Sequence, residues 1–108
     1  MHKKGDIVLI PFPFTDLSSN KVRPALVIGI DQDDCVVLFI TSLKPISKNN
    51  TVHIEKKESE KIGLKKESWV IVSKIATLNK KIVLGKIGSI DKGIKGAVER
   101  ELKSFLEL

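Results

Sequence analysis

The sequence opens with two short apolar runs, residues 7–10 and 25–30, on either side of a polar loop. Pro11 and Pro13 end the first run, because a proline cannot donate a hydrogen bond to a sheet ladder. Apolar runs of this length between turn-forming residues predict β-strands, here over residues 6–10 and 22–30, with a loop over residues 15–21. The second run is almost continuously apolar, which predicts burial on both faces of that strand.

The following segments continue the strand pattern as far as residue 90. Four further strands are predicted at residues 35–40, 51–55, 69–75 and 82–90, with a turn at residues 31–34 and a tight connection at residues 79–81. Gly85 and Gly88 in the last strand indicate a bend that lets a small sheet curl. Residues 56–66 are polar and charged, and predict one short helical turn or an irregular segment.

The periodicity changes at Asp91, where apolar residues begin to recur every three or four positions. This pattern predicts an amphipathic C-terminal helix with Asp91 as its N-cap, and residues 104–108 are expected to complete its apolar stripe within the core. Strands at short spacing before one terminal helix predict a single domain over residues 1–108. Its expected architecture is mainly β, a small curled barrel packed against the C-terminal helix.

Composition narrows the class of protein. With 42% hydrophobic and 30% charged residues the chain is typical of a globular domain. Its apolar runs are far shorter than the roughly 18 residues of a membrane helix, and Pro11 and Pro13 interrupt any signal-peptide core, so we expect a cytoplasmic protein without membrane contact. The net charge of +6 and a pI near 9.5 favour an acidic partner such as nucleic acid, with a lysine-rich solvated surface as the alternative.

Neither a metal nor a cofactor is predicted. Cys35 is the single cysteine, which excludes a disulfide framework or a cysteine metal cluster, and it is expected to be a packed residue. The acidic residues at positions 31, 33 and 34 lack the length and glycine placement of a calcium loop, so they predict a turn between strands.

Arg23 lies where the first loop becomes a strand, in a chain whose other cations are almost all lysines. The guanidinium offers a planar fork of donors that binds a phosphate or a carboxylate bidentately, which a lysine cannot do. Two interpretations are open. Arg23 either binds an anionic ligand, or forms an ion pair with Asp6 or Asp16 that anchors the loop.

Six segments of the chain form a recognisable ordered set: GDIV at residues 5–8, PFPFTD at 11–16, RPALVI at 23–28, FITS at 39–42, HIE at 53–55 and SWVIVSKIATL at 68–78. In this order they resemble the MazF/PemK family of toxin endoribonucleases from type II toxin-antitoxin systems. The resemblance implies an SH3-like β-barrel and metal-independent cleavage of single-stranded RNA that leaves a 2′,3′-cyclic phosphate and a 5′-OH. It also implies that Arg23 and Thr41 are the catalytic residues, because both match the family's motif.

Partners follow from the same resemblance. It implies a homodimer with a groove across the two subunits, an antitoxin, and operator DNA contacted only through the antitoxin complex. The positive charge predicts that the antitoxin is an acidic, partly disordered peptide, which lies over the groove and displaces the loop of residues 15–21.

Further residues are candidates for RNA binding by their chemistry and position. They are Thr15, Asn20, Lys21, Ser42, Lys44, His53 and Lys74. The hydroxyls at positions 41 and 42 have an alternative interpretation, since Ser and Thr often satisfy a turn.

The chain departs from the family pattern in the strand near residue 70. Some relatives carry an arginine and an acid where this chain has Val72 and Lys74, and others carry an arginine where Ala76 stands. Lys74 is expected to replace a lost cation, and His53 is a candidate acid or base.

Two other classes of function are consistent with the resemblance. One is a non-catalytic toxin of the kind that poisons DNA gyrase through its C-terminal tail, which the expected burial of residues 104–108 argues against. The other is a catalytically inactive relative that binds RNA through its basic surface.

Overall fold

The computed structural model describes residues 2–12 and 21–108. The elements of the described chain are β1 Asp6–Phe12, β2 Lys21–Asp31, β3 Asp34–Thr41, β4 Thr51–Ile54, α1 Lys56–Ile62, β5 Ser68–Asn79, a 3₁₀-helix Lys80–Ile82, β6 Gly85–Ser89 and α2 Lys92–Leu106.

The strands form one antiparallel sheet in the order β4-β5-β3-β2-β1-β6. This confirms the predicted mainly β fold with a C-terminal helix. Within the described ladder β4 and β6 are the two edges, so the sheet is a curled half-barrel. No helix of residues 2–12 and 21–108 has the length and apolar character to cross a membrane.

Local differences from the predicted elements have identifiable causes. Residues 56–62 form a helix of 7 residues, which is longer than one turn, and Gly63 ends it with a φ of 102° in the left-handed region. β5 continues past residue 75 to Asn79, whose side-chain oxygen accepts from the Lys81 amide at 2.9 Å and starts the 3₁₀-helix. That helix replaces the beginning of the strand predicted at residues 82–90, so β6 is short.

Two clusters of buried side chains lie on opposite faces of the sheet, as the alternation of side chains along a strand requires. The larger cluster contains Leu26 of β2 together with Val98 of α2, and the smaller cluster contains Ala25 and Val27 of β2. The centre of β2 is therefore buried on both faces, as predicted. Its ends are not, because Val22 and Ile30 are exposed.

Helix α2 begins as predicted, with Asp91 Oδ1 accepting from the Ile94 amide at 2.8 Å. The expectation that its tail completes the core is wrong. Phe105 is 38% exposed, Leu106 44% and Leu108 87%. The helix packs on the larger cluster through Ile94, Ala97, Val98 and Leu102, and its last turn extends beyond that contact.

The curl of the sheet depends on a close contact between α1, which follows one edge strand, and β6, the other edge strand. A Cβ at Gly88 would lie 1.8 Å from the Ile62 carbonyl oxygen, and one at Gly63 would lie 2.5 Å from the Ile87 carbonyl oxygen. Only glycine allows the two backbones to approach this closely.

The start of β1 is tied to β6 by a buried carboxylate. Asp6 accepts from the Lys3 amide at 2.9 Å and from the Ser89 hydroxyl at 3.3 Å, and its Oδ1 lies 3.2 Å from Lys86 Nζ. Burial raises the pKa of Asp6, but these donors outweigh burial and hold its pKa below the usual value. The carboxylate thus stays ionised and joins the two strands.

The contact between α1 and β6 can be tested with a matched pair of alanine substitutions. We expect Gly88→Ala to lower the free energy of unfolding by about 2 kcal/mol or more, because the new Cβ overlaps a backbone carbonyl. Gly85→Ala in the same strand meets no atom within 4 Å and should be nearly neutral. Urea denaturation followed by circular dichroism measures both; equal midpoints for the two variants would show that this contact does not hold the sheet.

Candidate functional site

Four side chains form a row across the sheet, which we call the site row. Thr41 of β3 is paired with Trp69 of β5, and Trp69 is paired in turn with His53 of β4. On the opposite side of β3, the last pair of the ladder with β2 is Ala25 with Phe39. Two residues further along each strand, on the same face, are Arg23 and Thr41, so Arg23 lies next to Thr41. Since neighbouring strands are about 4.8 Å apart, the row spans roughly 15 Å.

The site row lies on the face of the sheet opposite the larger core, although His53, on the edge strand, also lines a depression with Arg100 and Glu101 of α2. The residues that alternate with the row, such as Ile40, Val70 and Ile54, belong to the larger core cluster on which α2 packs. Side chains one position along a strand point to the opposite face, so the row is left on the open face of the sheet. The predicted alternation in β4 is confirmed, since Val52 and Ile54 are buried and His53 is exposed.

One end of the row lies in a depression of about 530 Å³, which we call the Arg23 depression. Its polar lining includes Arg23, Thr41, Lys44 and Lys74. No Asp or Glu is among the described residues that line it. Three cations with no carboxylate among the described lining residues make this depression electropositive.

Lys74 reaches the Arg23 depression because β5 is irregular there. Leu38 of β3 pairs with Ile75, but the next residue, Phe39, pairs with Ile71. The intervening residues 72–74 bulge from the ladder, and bulges next to functional sites redirect side chains. The chain differs from the family pattern at positions 72 and 74. Val72 is fully buried in the larger core, whereas Lys74 lines the depression.

Arg23 is half-buried, and its Nε atom is buried. One structural alternative, an ion pair with Asp6, is excluded because Asp6 binds Lys3, Lys86 and Ser89 at the far end of β1, whereas Arg23 is paired with Ile10. The other alternative, Asp16, lies outside the described residues.

Thr41 satisfies a turn, as the alternative interpretation proposed. Its Oγ1 accepts from the Leu43 amide at 3.1 Å. A hydroxyl has one donor and two acceptor positions, and this bond uses one acceptor. The hydroxyl hydrogen is a separate donor that an oxygen in the depression can accept, so the turn and a binding role are compatible.

The other end of the row lies in a second depression of about 480 Å³, which we call the Trp69 depression. His53 Nε2 and Glu67 Oε2 are 2.6 Å apart, and the His53 ring stacks on Trp69 with 5.1 Å between centroids and 18° between planes. Lys44 and Thr51 line both this depression and the Arg23 depression, so the two adjoin.

A third, smaller depression of about 250 Å³ borders Arg23 on its other side. It is lined by Ser42, Lys65 and Lys66 among others. Arg23 therefore stands between two depressions, each of which also carries two lysines.

The structure brings together some of the predicted site residues and separates others. Arg23, Thr41, Lys44 and Lys74 share one depression, while His53 and Ser42 line the two that adjoin it. Lys21 is exposed at the start of β2 and lines none of the three. Thr15 and Asn20 lie outside the described residues.

The sequence analysis did not select Trp69 or Glu67 as site residues. Trp69 is half-buried and lines a depression, because Ser68 and Val70 on either side of it point into the protein. The signal was present in the sequence: in a strand, the neighbours of a buried valine face the other way.

Within the described part of the chain, no group of three or more His, Cys, Asp or Glu side chains is arranged to hold a metal ion. The acidic segment of residues 31–34 forms the predicted turn, where Asp31 pairs with Asp34 and Gln32 has a φ of 55°. Cys35 is buried in the smaller cluster, as predicted, and burial raises the pKa of its thiol.

Comparison with protein families matches residues 3–106 to the PemK-like, MazF-like toxins of type II toxin-antitoxin systems. The chain belongs to this family. No curated protein sequence matched it.

Solved structures show that this family member has the fold of MazF toxins. An endoribonuclease solved in complex with its cognate antitoxin, from a mycobacterial species, aligns with a TM-score of 0.80 at 15% identity, covering 100% of this chain and 97% of that one. MazF from Deinococcus radiodurans aligns with a TM-score of 0.77 at 17% identity, covering 99% and 97%. The toxin MazF-mt6 of Mycobacterium tuberculosis gives 0.75 at 17%, covering 95% and 97%.

Proposed function

We propose that this MazF-like toxin cleaves single-stranded RNA without a metal ion, leaving a 2′,3′-cyclic phosphate and a 5′-OH. The observation that carries the proposal is the convergence of Arg23, Thr41, Lys44 and Lys74 on one depression without acidic lining residues. The proposed substrate is mRNA, which would place the protein in the cytoplasm.

The proposed reaction is an internal transfer at phosphorus. The ribose 2′-oxygen attacks the adjacent phosphorus and loses its proton, while the bond from phosphorus to the 5′-oxygen breaks and that oxygen gains a proton. Negative charge grows on the non-bridging oxygens as the phosphorus becomes pentacoordinate. Donors held in place before the reaction stabilise that charge, which is commonly the largest contribution an enzyme makes.

Arg23 is the principal donor in this proposal. Its fork donates two parallel N–H bonds to the non-bridging oxygens, a geometry that a lysine does not reproduce. Its partial burial strengthens these bonds, because water screens a half-buried charge less than an exposed one. Thr41 adds a neutral O–H donor, and Lys44 and Lys74 attract the RNA backbone.

The role of Arg23 is tested by cleavage of a long single-stranded RNA in the presence of a chelator, with analysis of the fragment ends. We expect Arg23→Ala to reduce the cleavage rate by about 100-fold or more without loss of fold. Arg23→Lys should fail as well, because it keeps the charge and loses the fork. Lys103→Ala, which removes an exposed cation on α2, is the control and should cleave normally. Activity retained by Arg23→Lys at unchanged stability would remove the support for the phosphate fork.

Thr41 can be tested by separating its hydroxyl from its shape. Thr41→Val keeps the shape and loses both the turn bond to Leu43 and the proposed donor, so we expect a clear fall in cleavage, smaller than that of Arg23→Ala. Thr41→Ser keeps the hydroxyl and should retain most activity. If the two variants cleave RNA equally well at matched melting temperatures, the hydroxyl has no part in the reaction.

The exposed tail favours one other class of function, a non-catalytic toxin that acts through Phe105, Leu106 and Leu108. The chelator experiment separates the classes, since only the enzyme produces fragments with cyclic phosphate ends. An inactive RNA-binding relative would retain RNA without cutting it. Deletion of residues 104–108 should leave cleavage intact if the endoribonuclease proposal is correct.

We also propose a homodimer. Large apolar side chains of the described sheet and its connections are open to solvent, among them Val22, Ile75, Ile82 and Leu84. Leu84 is 60% exposed, and exposed apolar side chains of this size are ones that a second copy of the chain can cover. Sedimentation equilibrium at micromolar concentration should therefore give about twice the 12.0 kDa mass of the chain. A single species at the monomer mass would contradict the dimer.

The antitoxin is proposed to be an acidic, partly disordered peptide that covers the cationic depressions, with operator DNA bound only through that complex. The displaced loop of residues 15–21 lies largely outside the described residues. Because Arg23, Lys44, Lys48 and Lys74 are the expected contacts, the affinity should fall as salt rises. Isothermal titration with an acidic peptide at two ionic strengths measures this, and equal affinities would indicate apolar docking.

A further inference from the structure

Trp69 is the only tryptophan in the chain, and it is placed on the open face of the sheet instead of in the core. Its ring is covered on one side by the exposed His53 ring, nearly parallel at 18°. The Glu67 carboxylate, 2.6 Å from His53 Nε2, fixes the orientation of the histidine. The two rings are therefore stacked and fixed in orientation beside a depression of about 480 Å³.

We propose that the stacked pair of His53 and Trp69 is a platform for a nucleobase of the RNA strand whose phosphate binds at Arg23. This inference rests on the proposed function. Aromatic faces bind the bases of single-stranded RNA by stacking, and they do so with little dependence on base identity because every base has a π face. A platform oriented in advance loses less conformational freedom when the base binds.

The charges around the platform fit one nucleotide of a strand. Lys44 and Lys48 line the rim of the depression, where they can bind the phosphates on either side of the base. Glu67 lies beside the rings and is already engaged with His53. A carboxylate in this place disfavours a phosphate, and equally an acidic side chain, at the platform itself, so an uncharged base is the better occupant.

The strand order gives the distance between Trp69 of the platform and Arg23, where the phosphate is proposed to bind. Trp69 and Arg23 are two strands apart in the site row, which is roughly 10 Å at the usual strand spacing. Stacked nucleotides rise about 3.4 Å each, so this separation corresponds to at most about three nucleotides, and to fewer in an extended strand. The base at the platform therefore belongs to a nucleotide close to the one cleaved, and Lys44, which lines both depressions, bridges the two.

The tryptophan itself reports on the proposal, since the chain has no other tryptophan and no tyrosine. The probe is an oligonucleotide with 2′-O-methyl riboses, which lacks the attacking hydroxyl and stays intact. We expect it to quench Trp69 emission saturably. The midpoint should match that from the fluorescence anisotropy of the same oligonucleotide carrying a 5′ label.

Variants separate stacking from general structural effects. Trp69→Ala should weaken binding of the probe by roughly 5- to 150-fold, the range expected for the loss of one stacked base. His53→Ala should weaken it less, and Trp69→Phe should retain most of the affinity. Thr77→Ala, an exposed position on the same strand, is the matched control and should bind like the wild type.

Two results would overturn the platform while leaving the proposed function in place. The first is RNA cleavage by the wild type together with probe binding that leaves Trp69 emission unchanged. The second is an affinity for the probe that is the same for the wild type, Trp69→Ala and His53→Ala. Quenching by poly-glutamate and not by the probe would show that the platform takes an acidic peptide, which also contradicts the proposal. A wild type that neither cleaves RNA nor binds the probe would overturn both proposals.

Discussion

The position of Lys74 in the candidate site depends on an irregularity in the pairing of β3 with β5. Residues 72–74 of β5 have no partners in β3, because the register shifts between Leu38 and Phe39. The bulge turns Lys74 toward the Arg23 depression. On the other side of β5, the Val72 amide continues the pairing with β4 and donates to the Asn50 carbonyl oxygen at 2.9 Å, which anchors the end of the loop that carries Lys44 and Lys48.

At the ends of β3, β4 and β5 near the site, one face of the sheet is packed in the larger core and the other carries the site row. The larger core, with α2 packed on it, takes every second residue of β3, β4 and β5 near their site ends, and the intervening residues are left for the open face. Burial of Ile40, Val70 and Ile54 therefore determines the direction of Thr41, Trp69 and His53. The same contacts that stabilise the domain hold the site row in line, which is how a rigid scaffold keeps binding groups in place without ligand.

Much of the fold could be predicted from local pattern. Strand-length apolar runs, the acidic turn at residues 31–34 and the capping Asp91 all have short-range physical causes, and each is where the sequence indicated. The predicted burial of the tail was wrong, because periodicity shows that Phe105 and Leu106 lie on one stripe of the helix but not where the sheet beneath them ends. The bulge in β5 could not be predicted for a related reason, since the register depends on both paired strands and not on one segment of sequence.

In the candidate site, too, the residues could be predicted from the sequence but their arrangement in space could not. Arg23 and Thr41 could be selected from residue chemistry and from the family motif, and Lys74 and Lys44 from charge. Their meeting in one depression could not, because it depends on the register shift and on a loop anchored by a backbone bond. Trp69 was not selected, because only its alternation with the buried Ser68 and Val70 places it on the face of the site row.

The central claim, that Arg23 binds the RNA phosphate through its guanidinium, can be observed directly because the chain has only two arginines, Arg23 and Arg100. A ¹⁵N correlation spectrum of the arginine Nε–Hε groups contains one signal from each, and burial of the Arg23 Nε protects its proton from exchange with water. On titration with the uncleavable 2′-O-methyl RNA, the Arg23 signal should shift saturably, and by more than that of Arg100 on α2. An Arg23 signal that stays in place while the RNA is bound would contradict the account.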